Sequence, residues 1–189
     1  MQSFLASLRL VAATMGVCVL GYTSAILGVA QVFSSDAANG SLITTGDGEV
    51  VGSRLIAQKF TDSRYFWPRP SAVDYNGAGA GGSNKSPTSV DLADRARSLI
   101  EQHGATADQP VPPELVAASG GGLDPHISEH AARYQVPRVA AARGIPEPRV
   151  GALIERQSFA PGGPLTRERV VNVLELNLAL DSLTTGASR

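Results

Sequence analysis

The stretch LVAATMGVCVLGYTSAILGVAQV, residues 10–32, decides how this chain is organised. It contains no charged residue and no histidine, and the uncharged run continues to Ser35. A helix of this length is roughly 34 Å long, whereas the hydrocarbon core of a bilayer is about 30 Å thick. The stretch therefore predicts one helix that spans a membrane.

The main alternative for this stretch is a cleaved signal peptide. Gly28 and Ala30 have the small side chains and the spacing of a cleavage site. However, the apolar run is longer than the roughly 7–15 residues of a signal-peptide core, and Arg9 alone makes a weak basic region before it. We therefore favour a retained membrane anchor.

The charges that flank the stretch predict its orientation. Arg9 and the amino terminus precede it, whereas three acidic residues follow it before the next basic residue, Arg54. Because positive flanks stay in the cytoplasm, the N-terminus is predicted to lie inside the cell. The prediction gives a cytoplasmic N-terminus (1–9), a transmembrane helix (10–32) and an extracytoplasmic soluble domain (33–189).

The composition of the soluble part excludes several classes of protein. Outside residues 1–32 the chain has 15 basic and 17 acidic residues, a net charge of −2. This balance excludes a nucleic-acid binder that works by massed neutralisation of phosphates. The single cysteine, Cys18, lies in the anchor, so the soluble part has no disulfide framework, CxxC zinc site or thiol nucleophile.

The soluble part combines patterns typical of strands with patterns typical of helices. The predicted elements are a hairpin (41–51), an irregular segment (61–88), a helix from Thr88 to Gly104 with a Thr88–Asp91 capping box, a helix capped by Ser128 and running to Tyr134, a helix from Pro137 to Gly144, an amphipathic turn or two (150–154), and a short strand leading into a buried helix (170–180). The fold class is therefore mixed α/β: one N-terminal transmembrane helix followed by one mixed α/β soluble domain.

Two motifs match catalytic or cofactor-binding patterns in residue type and spacing. His126-Ile-Ser-Glu-His130 matches an HxxEH zinc motif, but Asp124 and Pro125 predict a turn at His126 and not a helix. Residues 77–82 match a GxGxxG fingerprint but follow no clear strand and open no helix, which favours a flexible loop. No GxSxG or DKTGT motif is present. We therefore predict no catalytic residue and no metal site.

Two clusters have the composition of an interface or of a core. Residues 65–71 hold three of the chain's ten aromatic residues beside an arginine between prolines, and residues 134–139 alternate polar with apolar side chains. Core packing is the alternative for each. The candidate interface residues are Tyr65, Phe66, Arg69, Pro70, Gln135 and Arg138.

These clusters also carry a resemblance to a known family. The chain resembles the C subunit of the bacterial Kdp potassium-transporting ATPase, in segments that follow the same order over most of residues 39–181. The resembling segments are 39–43, 52–60, 65–66, 69–72, 81–84, 122–128, 134–140 and 171–181.

The resemblance implies an accessory subunit of an ATP-driven potassium pump in the bacterial cell membrane, not an enzyme by itself. It implies roles in assembly and in raising the ATP affinity of the hydrolysing subunit. The implied partners are a channel-like potassium-translocating subunit, a P-type ATP-hydrolysing subunit, a small single-span peptide and the lipid bilayer. A single-span extracytoplasmic binding or sensor protein is the alternative, which co-purification would distinguish.

The resemblance further implies a proposed contact between ATP and the glutamine of the Tyr134–Arg138 stretch, here Gln135. The charge flanks place Gln135 outside the membrane, whereas ATP is inside the cell. We therefore expect any effect on ATP affinity to be indirect, by conformational linkage.

Overall fold

The computed structural model describes residues 2–185, which divide into two compact units between Val51 and Gly52. The first unit begins with one long helix, Gln2–Phe33, formed by α1 (Gln2–Met15), a π-helical segment (Gly16–Gly21) and α2 (Tyr22–Phe33). Its length and composition are those of a membrane span, and its most apolar window has no buried residue. The helix begins earlier than the predicted 10–32 and includes Arg9.

A short polar segment follows this helix. The side-chain amides of Gln31 and Asn39 bond each other reciprocally at 3.1 and 3.2 Å, beside the short helix α3 (Ser35–Ala38). The predicted hairpin is present as β1 (Leu42–Thr44) and β2 (Val50–Ser53). The Gly46–Gly48 turn between the strands is closed by a 2.9 Å bond from Thr45 N–H to the carbonyl oxygen of Glu49.

The second unit is built from strands that run directly into helices. Strand β3 pairs antiparallel with β4, with Ile127 opposite Val171, and a helix follows each strand without a break. The elements are α4 (Val90–Gln102), β3 (His126–Ser128), α5 (Glu129–Tyr134), α6 (Val136–Arg143), α7 (Glu147–Gln157), β4 (Val170–Asn172) and α8 (Val173–Thr185), with 3₁₀ turns at Pro113–Leu115 and Gly163–Leu165.

Local chemistry explains several of these boundaries. The hydroxyl of Ser128 accepts a 3.0 Å bond from Ala131 N–H and caps α5, as predicted. Pro137 lies in the first turn of α6, and Gly144, at φ +64°, ends that helix. Residues 170–185 form a short strand followed by a buried helix, which confirms the prediction for that run.

Two boundary predictions were wrong. Thr88 does not cap α4: its hydroxyl pairs with that of Ser86, Asp91 binds Lys85, and the helix begins after Ser89. His126 lies in strand β3 and not in a turn, because its backbone pairs with Asn172.

The core of the second unit lies between the β3–β4 pair and helices α5–α8. The irregular segment predicted before α4 contains no helix or strand, yet it inserts Phe66 fully into this core. The buried apolar side chains are Phe66, Leu115, Ile127, Ala131, Ala132, Val136, Val139, Ala140, Val150, Leu153, Ile154, Val171, Val173, Leu176 and Leu180.

Candidate functional site

Two buried carboxamides hold the irregular loop of residues 62–71 against the helices. Asn177 of α8 accepts from Phe66 N–H at 2.8 Å and donates to the carbonyl oxygen of Phe66 at 3.0 Å. Gln135, between α5 and α6, accepts from Trp67 N–H at 2.8 Å and donates to the carbonyl oxygen of Trp67 at 3.1 Å. Each carboxamide therefore gives the loop backbone the two hydrogen bonds that a neighbouring strand would otherwise supply.

The hydrogen-bonding capacity of Gln135 is fully used. Its Oε1 also accepts a 2.6 Å bond from Arg138 Nη2, and its Nε2 also lies 3.4 Å from the carbonyl oxygen of Ala131. A glutamine amide has two donor hydrogens and two acceptor lone pairs, and all four are directed at protein groups. Since Gln135 is only 1% exposed, its surroundings do not fit a nucleotide.

Arg138 of α6 binds the same loop from its outer side. Its Nη1 donates to the carbonyl oxygens of Ser63 at 2.7 Å and Tyr65 at 3.0 Å. Its guanidinium carbon lies 3.8 Å from the centre of the Trp67 ring, within the range of a cation–π contact. Desolvation lowers the pKa of Arg138 to about 10, so the side chain stays charged at neutral pH.

Arg143, one turn and a half further along α6, holds the start of the loop. Its Nε donates to the carbonyl oxygen of Arg64 at 2.7 Å, and its Nη2 donates to Asp181 of α8 at 2.7 Å. The guanidinium carbon of Arg143 also lies 4.8 Å from the centre of the Tyr65 ring, and the Tyr65 hydroxyl donates to Asp181 at 3.2 Å. Helices α6 and α8, together with Gln135, thus fix the loop at four consecutive residues, 64–67.

The far end of the loop is held by a separate set of contacts. Arg69 forms a 3.2 Å ion pair with Asp124, and its side chain is 28% exposed. Hydrogen bonding from His126 is the largest cause that lowers the pKa of Asp124, and Arg69 adds a smaller contribution. The carbonyl oxygens of Arg69 and Pro70 accept bonds from Tyr75 and Ser119.

The six candidate interface residues all lie in or beside this loop. Phe66, Pro70 and Gln135 are buried within the unit, so only Tyr65, Arg69 and Arg138 have side chains with surface for a partner. Their role at an interface stays a prediction. The burial of Phe66 shows that part of this cluster is core.

Three residues that complete the site were not among the candidates: Asn177, Arg143 and Asp181. Asn177 had a signal in the sequence, because a carboxamide in an apolar helix must find a partner when it is buried. The partner itself could not be predicted, since Phe66 is 111 residues away.

The zinc-like motif does not form a metal site of the expected geometry. His126 lies in β3 and packs edge-on against Phe159 at 5.5 Å, whereas His130 lies in α5. The two histidines therefore do not share a helix face. Within residues 2–185 no group of three or more His, Cys, Asp or Glu side chains could hold a metal ion, and the lack of a metal stays a prediction.

His103, which caps the C-terminus of α4, packs between two aromatic rings of the site. Its ring lies 5.2 Å from that of Trp67 and 6.2 Å from that of Tyr134. Burial, and then the charge of Arg138, lower the pKa of His103 below its usual 6.5, while a hydrogen bond with the backbone of Leu115 opposes this.

We expect acid to destabilise the protein through His103. Below about pH 6.5 the unfolded chain binds a proton at this residue before the folded chain does, so the free energy of unfolding falls as pH falls through the lowered pKa. Denaturation of the full chain in detergent at several pH values measures this. His103→Phe should show a smaller loss in acid than the wild type, with exposed His130→Phe as control. Equal losses in His103→Phe and the wild type would contradict the assignment.

Comparison with known proteins identifies the family. The family described as "K+-transporting ATPase, c chain" matches residues 4–182. A potassium-transporting ATPase KdpC subunit from Parvibaculum lavamentivorans is 64% identical over 185 residues, covering 98% of this chain and 99% of that protein. Proteins of the same name from Xanthomonas oryzae pv. oryzae and Myxococcus xanthus are each 46% identical, covering 89% and 95% of this chain and 82% and 88% of theirs.

These matches favour the pump subunit over an unrelated binding or sensor protein. They extend over both structural units, including the N-terminal helix. The chain belongs to the KdpC family, the c chain of the K⁺-transporting ATPase.

Proposed function

We propose that this subunit does not hydrolyse ATP itself, that it stabilises the assembled pump, and that it raises the ATP affinity of the hydrolysing subunit without touching the nucleotide. One observation carries the last part: Gln135, the residue that the family resemblance offers for ATP, is 1% exposed and bonded to Trp67, Arg138 and Ala131. A nucleotide could bond this amide only by displacing one of these protein partners: the backbone of Trp67, the guanidinium of Arg138 or the carbonyl of Ala131.

An indirect effect requires only that the subunit bind one conformation of the pump better than another. The nucleotide site then tightens by linkage, with a coupling free energy of about 1–3 kcal/mol. A rigid binding surface suits this role because little conformational freedom is lost on docking. The fixation of residues 64–67 by Asn177, Gln135 and two arginines supplies that rigidity.

The proposed partners are the channel-like potassium-translocating subunit, the P-type ATP-hydrolysing subunit and a small single-span peptide. The fourth proposed partner is the lipid bilayer, which would surround the helix Gln2–Phe33. We place residues 1–9 in the cytoplasm, 10–32 in the bacterial cell membrane and 33–189 outside it. The support is the single basic Arg9 before the span and three acidic residues after it.

This topology has a direct test. The helix should stay in the membrane after alkaline extraction, because its apolar surface is held by lipid. Protease added to intact spheroplasts should digest the domain that follows residue 33. Permeabilised spheroplasts are the control for protease access. Protection of the domain in intact spheroplasts would overturn the orientation, and an N-terminus that begins near Gln31 would show cleavage instead.

Arg69 is the residue with which the assembly role is best tested. Its guanidinium is partly exposed, and its one ion pair joins it to an Asp124 that His126 also stabilises. Partly exposed ion pairs contribute about 0–1 kcal/mol, so the loss of Arg69 should cost the fold little.

We therefore expect Arg69→Ala to lower the yield of the intact complex, or its potassium affinity, more than it lowers the stability of the chain. The measurements are a detergent pull-down with mass spectrometry of the partners and a thermal melt of the variant chain. Arg97→Ala, an exposed arginine of α4 that is paired with Asp94 and lies outside the 62–71 loop, is the matched control. A melting temperature several degrees lower with unchanged assembly would assign Arg69 to the core and not to an interface.

A further inference from the structure

A cleft separates α4 from the 62–71 loop and the residues beside it. It holds about 180 Å³, below the roughly 300–1,000 Å³ typical of pockets for drug-sized ligands. Three aromatic rings line it from the loop side, those of Phe60, Trp67 and Tyr75. The cleft therefore has room for one small molecule and flat apolar surfaces for its body.

The charges in the cleft have one sign. Its lining includes Lys59 and Arg95 and no carboxylate. Lys59 is paired at 2.7 Å with Asp74, an exposed residue outside the lining, so the two charges offset each other. Arg95 of α4 gives one bond, from Nη2 to the carbonyl oxygen of Ser71 at 2.9 Å, and has no acidic partner among the described residues. One unpaired positive charge thus remains.

The donors that remain on Arg95 fit an anion. A guanidinium has five N–H donors arranged to match a carboxylate at two points, and Ser71 occupies one of them. Gln102 and His103, on the same helix, line the cleft next to the aromatic wall. The loop wall itself is held in place by Gln135 and Arg138, so the cavity does not depend on a ligand for its shape.

We propose that this cleft binds a small organic monoanion, with a carboxylate on Arg95 and a flat apolar body against Trp67 and Tyr75. The single net charge selects a monoanion, and the volume is too small to enclose a nucleotide. This site is independent of the proposed roles in assembly and ATP affinity.

Trp67 is the only tryptophan of the chain, so its fluorescence reports on this cleft directly. The probe is benzoate, titrated into the full-length chain in detergent. We expect a saturable change in Trp67 emission with benzoate, a much weaker one with benzyl alcohol, which has the ring without the charge, and none with acetate, which has the charge without the ring. Equal responses to benzoate and benzyl alcohol, or no saturable response to benzoate, would overturn the proposal.

Variants separate the site from general binding to the protein or detergent. Arg95→Gln should weaken benzoate binding about tenfold or more, since it removes a charge-assisted hydrogen bond. Arg95→Lys, which keeps the charge but loses the two-point match to a carboxylate, should weaken binding less than Arg95→Gln does. Arg97→Gln, on the same helix but outside the cleft and paired with Asp94, should bind as the wild type does. Loss of binding in Arg97→Gln equal to that in Arg95→Gln would refute the site.

Discussion

Replacing Phe66 with alanine should lower the free energy of unfolding by about 3–5 kcal/mol, the range for removing a buried aromatic ring. The side chain is 0% exposed and belongs to the same core as α5–α8, although it comes from a loop without secondary structure. The loss of unfolding free energy should be larger than for an alanine substitution of any surface residue of the loop. Removing the Phe66 ring leaves a cavity at the centre of the unit, whereas removing a surface side chain does not.

Chemical denaturation of the full chain in detergent, followed by the fluorescence of neighbouring Trp67, measures this effect. Phe159→Ala is the matched control: the ring is 44% exposed and packs on one side against His126, so we expect a loss below about 1.5 kcal/mol. If Phe66→Ala were as mild as this control, the 62–71 loop would not be part of the core.

The second large effect concerns the two carboxamides. Asn177→Leu keeps the branching and the number of side-chain heavy atoms, and Gln135→Leu shortens the side chain by one heavy atom. Each change leaves one N–H and one carbonyl of the loop without a partner. Unsatisfied buried groups cost about 1–3 kcal/mol each, so we expect each variant, which leaves two such groups, to lose about 2–6 kcal/mol. Asn177→Leu should lose at least as much as Gln135→Leu, because the groups of Phe66 are more deeply buried than those of Trp67.

The double variant refines this prediction. Because both carboxamides hold adjacent residues of one loop, the loss in Gln135→Leu/Asn177→Leu should be less than the sum of the single losses. Gln109→Leu, an exposed carboxamide, is the control and should change stability by no more than about 0.5 kcal/mol. Strict additivity would show that the two residues act on independent parts of the fold.

The sequence predicted the elements that depend on local chemistry. Ser128 before α5, Pro137 and Gly144 at the ends of α6, and the strand-to-helix run at residues 170–180 each follow from capping, backbone preference or periodicity. The predicted cap of α4 was wrong by one residue, because a Ser86 hydroxyl competes for Thr88. A capping pattern does not include the residues before the cap, so it cannot show such competition.

The site itself could be predicted only in part. Residues 65–71 and 134–139 were identified as clusters, but the choice between core and interface needed their contacts. Gln135 bonds the backbone of Trp67, which lies 68 residues earlier in the chain. Asn177 bonds the backbone of Phe66, which lies 111 residues earlier. No periodicity or motif predicts such pairs, because they depend on how the helices pack and not on the neighbours of each residue along the chain.

We propose that Gln135 acts by holding the 62–71 loop and not by binding ATP. The most direct test is the ATP dependence of potassium-stimulated hydrolysis in the assembled complex, compared between Gln135→Ala and Asn177→Ala. Asn177 makes the same two-point contact with the adjacent residue but lies outside the proposed nucleotide stretch. If Gln135 acts by holding the loop, both variants should raise the ATP concentration for half-maximal activity by similar factors. A shift in Gln135→Ala alone, together with azido-ATP labelling of this subunit that Gln135→Ala abolishes and Asn177→Ala does not, would contradict it.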